Sequence, residues 1–174
     1  MSWFMVICSL AFAEEHAGRG DAHAEDHGGA AGHRAFGIKA VNLTAISDEA
    51  TAWLGSGFIL EAPLSERWVI ELAGHGLWGT ARAPGFAVPV DVLFKRAWMV
   101  DQWVITAGGG PSLTGFWHEQ EASLFPGALA SAGASWWFHD DGWGLLLETD
   151  AGGALEERRL VAEIETALGL VKTF

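Results

Sequence analysis

The chain has 174 residues, ten Trp, 23 Gly, no Tyr, a single Cys and a formal net charge of −12. That length suits one domain. The acidic balance leaves no basic face for nucleic acid, one thiol cannot close an internal disulfide, and no uninterrupted apolar run of about 18 residues offers a helical membrane span.

Residues 1–13 (MSWFMVICSLAFA) are an apolar stretch ending in Ala11-Phe12-Ala13. This small-x-small ending suits a signal peptidase, so residues 1–13 read as a secretory signal that removes Cys8. Residues 14–33 are polar and rich in Gly and Ala, with no apolar period, and read as a disordered periplasmic arm. In it His16, His23, His27 and His33 stand among carboxylates, a composition that suits weak Cu, Ni or Zn binding. Cleavage after Ala13 would expose Glu14-Glu15-His16, resembling the amino-terminal Cu/Ni motif whose third-position imidazole completes a square plane. The plainer reading of the arm is a solvated tether, and no other cofactor is implied.

From residue 34 the hydropathy alternates with period two, in eight segments near 35–46, 50–62, 68–79, 87–100, 103–114, 127–138, 143–150 and 158–174. A tilted strand crosses a bilayer in about 9 to 11 residues, and these segments are of that order. Connections after the second, fourth and sixth segments are tight: residues 63–67, 101–102 and 139–142. Those near residues 80–87, 115–126 and 151–157 are longer and rich in Gly or Pro, although the first, at residues 47–49, is short. Tight turns on one rim and longer loops on the other are the pattern of an outer-membrane barrel.

Directly opposed residues in an antiparallel pair share a face, so the turns test the facing. The turn at Asp101-Gln102 pairs Val100 with Trp103, the one at residues 139–142 pairs Phe138 with Trp143, and a five-residue turn pairs Ala62 with Trp68. Each joins the apolar sides of its two segments. Along that surface Trp68, Trp98, Trp103, Trp136, Phe138, Trp143 and Phe174 gather at the turn rim. Trp78, Phe86, Phe116 and Trp117 gather near the loop rim. Two aromatic levels are what a membrane asks for.

The opposite face carries Glu61, Glu71, His75, Asp91, Lys95, Glu148, Asp150, Glu163 and Glu165. Enclosed in eight strands, these would form a hydrogen-bonded polar plug, with Lys95 and His75 as the cations on hand. Arg96 falls on the apolar side and should snorkel toward the turn rim past Trp98, unless a β-bulge shifts the register.

The final alternating run ends in Phe174, with Leu170 and Leu168 two and three steps before it on the same side and Gly169 between them. On these residues, residues 34–174 resemble the small eight-stranded outer-membrane barrels that include OmpA-type, OmpX-type and OmpW-type proteins. Lys172 departs from the pattern, where an apolar residue is usual. The resemblance implies an all-β, eight-stranded, antiparallel up-and-down transmembrane barrel in a Gram-negative outer membrane. It also implies a monomer in contact with lipid and lipopolysaccharide, and handover to the barrel-assembly machinery through the last strand.

Alternation alone leaves open which side faces inward, so a secreted lipocalin-like barrel is the alternative fold. For function, the sequence favours a structural or surface-interaction role with a side-chain-filled lumen, and the alternative is a narrow channel for small solutes. A lipid hydrolase would need a nucleophile and base in contact, and His118 near Glu119, Glu121 and Ser123 does not by itself supply them. No catalytic residue is assigned.

Overall fold

The computed structural model describes residues 33–46, 50–80, 84–118, 121–138, 142–156 and 159–174. The segment at 1–13 and His16, His23 and His27 lie outside the described residues. The described chain forms β1 (Ala35–Ile46), β2 (Ala50–Ser65), β3 (Trp68–Gly79), β4 (Phe86–Val100), β5 (Trp103–His118), β6 (Glu121–Trp137), β7 (Trp143–Glu156) and β8 (Arg159–Thr173). Every strand pairs antiparallel with its sequence neighbours, and β8 closes on β1 from Ala35↔Thr173 to Ile46↔Ala162. Closure leaves no strand edge to template aggregation.

The register runs from Ala35 through Glu61 and Glu71 to Leu93, crosses level with Gly110 the gap between Asp91↔Ser112 and Phe94↔Gly109, and continues through Leu129, Gly152 and Glu163 to Ala45, ten residues along β1. With a rise of about 3.3 Å and strands about 4.7 Å apart, that stagger tilts the strands by about 41°. The backbone then lies about 8 Å from the barrel axis, which leaves room for side chains and little else.

Facing is settled by exposure. Trp68 is 47% and Leu147 59% exposed, whereas Glu71 and Asp91 are 0% and 1% exposed. The lipocalin-like alternative needs the reverse, and this exposure pattern overturns it. The outer wall is apolar from Phe36 and Ile38 on β1 to Leu168 and Leu170 on β8. A continuous surface of this kind far exceeds the apolar patch of a water-soluble monomer and suits hydrocarbon.

Two turns keep the register read from the sequence: Val100 opposes Trp103, and the Phe138 amide donates to the Trp143 carbonyl. Asp101 reaches φ 54°, a left-handed conformation that Asp tolerates better than most residues. The turn after β2 differs from the sequence reading. Pairing runs on to Ser65↔Trp68 with a bulge between Pro63 and Ser65, so Ala62 opposes Ile70 instead of Trp68. The shift is two residues, so the apolar face is unchanged.

The loop rim departs further. Residues 115–118 and 121–126 continue β5 and β6 as one hairpin, paired from Trp103↔Trp136 to His118↔Glu121, and residues 151–156 continue β7. Connections on this rim are therefore as short as residues 119–120 and 157–158, and the expected contrast in loop length does not hold. Gly and Pro were misleading signals here. Proline removes a donor without ending a strand, provided the ladder gives way beside it. The β3–β4 ladder skips between Gly74↔Val90 and Leu77↔Ala87, beside Pro89, and the β4–β5 ladder between Asp91↔Ser112 and Phe94↔Gly109, beside Pro111.

Candidate functional site

The lumen is stratified. Toward the turn rim Ile59, Ala73, Leu146 and Val171 pack together with Trp137 against them. Toward the loop rim Val41, Leu43, Trp53, Leu77, Ala87 and Ala167 form a second apolar layer, with Ala45 and Phe116 against it. Between them lies a buried belt of Lys39, Glu71, His75, Asp91, Lys95, Glu148, Asp150 and Glu165. The polar plug expected from the sequence occupies the middle of the lumen, and the inward positions on either side of it are apolar.

Lys39 is the belt residue that reading missed. It sits between Ile38 and Ala40, but Val41 and Leu43 on its own side are also apolar, so β1 carries little contrast between faces. Phe36 and Ile38 facing out were the signal that places Lys39 inside.

The belt links walls that are distant along the sheet. The Lys95 ammonium on β4 donates to Glu71 Oε2 at 2.7 Å and also to Glu148 on β7. Lys39 Nζ on β1 donates to Glu148 Oε1 at 2.6 Å and lies 3.6 Å from Glu165 Oε1 on β8. His75 Nδ1 on β3 is 3.2 Å from Glu165 Oε2 and 3.9 Å from Asp91 Oδ2. Ser112 stands opposite Asp91 in register, and Ser131 opposite Asp150. Buried charges persist only when paired, and here Glu148 is held by two lysines at once.

Glycines make the room. Gly57 faces inward opposite His75, and a Cβ on it would meet His75 Cδ2 at 2.2 Å. Gly108 opposes Lys95, and a Cβ there would lie 2.0 Å from the Phe94 carbonyl oxygen. An 8 Å barrel holds lysines and glutamates at one level only if the positions between them are empty.

Of the remaining lumen residues named from sequence, Glu61 and Glu163 are half-buried, Glu61 opposing Glu71 and Glu163 standing between Ala45 and Gly152. On the outer wall Trp68, Trp78, Trp98, Trp103, Trp143 and Phe174 are exposed and Trp136 is half-buried, its Nε1 donating to Gln102 Oε1 at 3.0 Å. Trp136 stacks edge-on with Phe138 at 4.8 Å, while Trp78, Phe86 and Trp117 form a ladder near the loop rim. Phe116 does not join it. It turns inward and meets Trp53 edge to face at 5.4 Å.

Arg96 lies outside without a bulge in β4, its guanidinium 5.3 Å from the Trp98 ring centroid. Lys172, the departure in the terminal run, opposes Trp143 and places its ammonium 5.5 Å from that ring. Both cations thus rest on aromatic faces near the turn rim. His33 is exposed, and among the described residues no group of three or more His, Cys, Asp or Glu is arranged to hold a metal ion. His118 Nδ1 donates to the Pro84 carbonyl at 2.6 Å and stands opposite Glu121, while Ser123 stands opposite Phe116.

No protein-family model matches the sequence, and no curated protein matches it. Solved structures do. The chain is similar to Neisserial surface protein A (NspA), with a TM-score of 0.69 at 10% identity over 81% of this chain and 97% of that one. Ail, the attachment invasion locus protein of Yersinia pestis, aligns with a TM-score of 0.56 at 12% identity, covering 82% and 99%. The outer membrane protein OprG from Pseudomonas aeruginosa aligns with a TM-score of 0.55 at 10% identity, covering 82% and 96%. At these identities the likeness is one of fold: a closed eight-stranded barrel of the small outer-membrane type.

Proposed function

From that shared fold, we propose that this chain is an integral protein of a Gram-negative outer membrane, a non-catalytic monomer with a structural or surface-interaction role. Both strand ends of the closure, Ala35 and Thr173, lie on the turn rim, so the N-terminal arm and Phe174 are periplasmic and the β5–β6 hairpin faces the medium. The exposed Phe174 side chain and the outward Leu168 and Leu170 are the features that the barrel-assembly machinery would read, and the outer wall contacts lipid and lipopolysaccharide.

The observation that carries the closed-lumen part of this reading is the belt itself. Glu148 is bonded to Lys39 and Lys95, apolar layers pack above and below, and an 8 Å barrel has no second path around them. Solute passage would have to break ion pairs that are out of water. Planar-bilayer recording of the refolded chain should show no steady conductance, and discrete, reproducible openings would favour the channel reading. Orientation is tested separately in a Cys8→Ser background. Ser123→Cys should react with a membrane-impermeant maleimide on intact cells, and Ser65→Cys only after the outer membrane is permeabilised.

A further inference from the structure

Above the ionic belt the lumen opens into a cavity of about 160 Å³ near the loop ends of the strands, walled by Leu43, Trp53, Leu77, Phe116 and Phe125 with Glu163 at its side. We propose that this cavity is a binding site for a small hydrophobic amine in its protonated form, an arylalkylammonium the size of one substituted benzene ring. The proposal concerns the outer mouth and does not depend on whether the lumen below is closed.

Three observations converge on that ligand. The volume is about that of a protein cavity that accepts a single benzene. The walls are apolar, and two of them are the rings of Trp53 and Phe116, themselves in edge-to-face contact at 77°. The charge at the side is of one sign. Glu163 is half-buried, has Ala45 and Gly152 as its register partners, and makes no ion pair among the described residues.

Its charged neighbours are acidic too: Asp91 on β4 and, two residues along its own strand, Glu165, while the belt cations His75 and Lys39 lie against those carboxylates and not against Glu163. An anion entering this mouth is repelled, and a neutral guest gains only the apolar walls. An ammonium also gains a charge-assisted hydrogen bond to Glu163 and the rings beside it. Thr51 and Thr114 in the lining give the guest polar neighbours, and Trp53 Nε1 is already occupied, donating to Thr51 Oγ1 at 3.4 Å. Specificity of this kind, an apolar pocket with a few placed polar groups, is the ordinary anatomy of a small-molecule site.

The test uses the full chain refolded in lipid nanodiscs, with amide shifts followed by NMR while benzylamine, benzyl alcohol or benzoate is added. Benzylamine should move the signals of Thr114 and Phe116 saturably, benzyl alcohol should bind about tenfold more weakly, and benzoate more weakly still. Glu163→Gln should bring benzylamine down to the level of the alcohol while leaving the alcohol unchanged. Ala154→Leu, which fills the cavity, should abolish both; should that variant fail to fold, Glu163→Gln alone decides. Equal affinity for amine and alcohol in the wild type, an amine preference that survives Glu163→Gln, or shifts spread over the lipid-facing wall would overturn the proposal.

Discussion

Removing Lys95 should reveal how the belt distributes its charge. Lys95→Met deletes an ammonium that is 0% exposed and lies 2.7 Å from Glu71 Oε2, a gross attraction of about 6 kcal/mol at an effective dielectric constant of 20. Breaking a buried pair from one side costs about 3 to 5 kcal/mol, because the partner charge stays behind. The two carboxylates are not left equally bare. Glu148 keeps Lys39 at 2.6 Å, whereas Glu71 loses its ion-pair partner and already has an Oε1 with no hydrogen bond among the described residues.

Lys95→Met should therefore lose about 4 kcal/mol. Adding Glu71→Gln should recover about half of that, while adding Glu148→Gln should recover little or cost more by stranding Lys39. Urea unfolding of the chain in lipid vesicles, followed by Trp fluorescence and by heat-modifiable gel mobility, reads all three variants. A single-variant loss below about 1 kcal/mol, or equal recovery by the two second substitutions, would refute this distribution of charge.

Other perturbations separate packing from position. Gly108→Ala should destabilise the barrel by about 1 to 3 kcal/mol or more, since its Cβ meets backbone, whereas outward-facing Gly76→Ala, with the Phe86 ring no nearer than 3.5 Å, should be close to neutral in the same urea assay. Leu147→Arg, in the exposed middle of the wall, should cost about 2 to 4 kcal/mol in bilayers. Arg96→Leu should change stability by less than about 1 kcal/mol, because Arg96 rests on Trp98 near the turn rim. Similar costs for the two sites would show that depth does not set the penalty. Asp101→Gly, at φ 54°, should be neutral or slightly stabilising in urea unfolding, and a clear loss would mean the Asp side chain holds the turn.

Much of this architecture was legible from residue order because a strand has a period of two and a turn transmits parity. Val100 with Trp103 and Phe138 with Trp143 needed nothing beyond counting, and they placed Asp91 and Lys95 on β4 and Glu148 on β7 opposite the apolar face. Where parity was the same for two registers, as with Ala62 against Trp68 or Ile70, counting gave the correct face and the wrong partner. Composition also misled: Gly115 to Pro126 carries loop-like residues, yet pairs without a break as strand, because Pro126 stands just beyond the end of the β6–β7 ladder at Gly127↔Ala154, where its missing donor costs no pairing.

Three-dimensional closure decided the rest. Lys39 and Glu148 are far apart in the chain, and only the return of β8 to β1, with its ten-residue stagger, brings them within 2.6 Å. The same closure turns Trp53 and Phe116 toward each other above the belt and sets Glu163 beside them. Alternation fixes which face a side chain occupies, but it carries no information about its height around a tilted cylinder. Height is a property of the whole sheet's register, and it determines which inward residues meet.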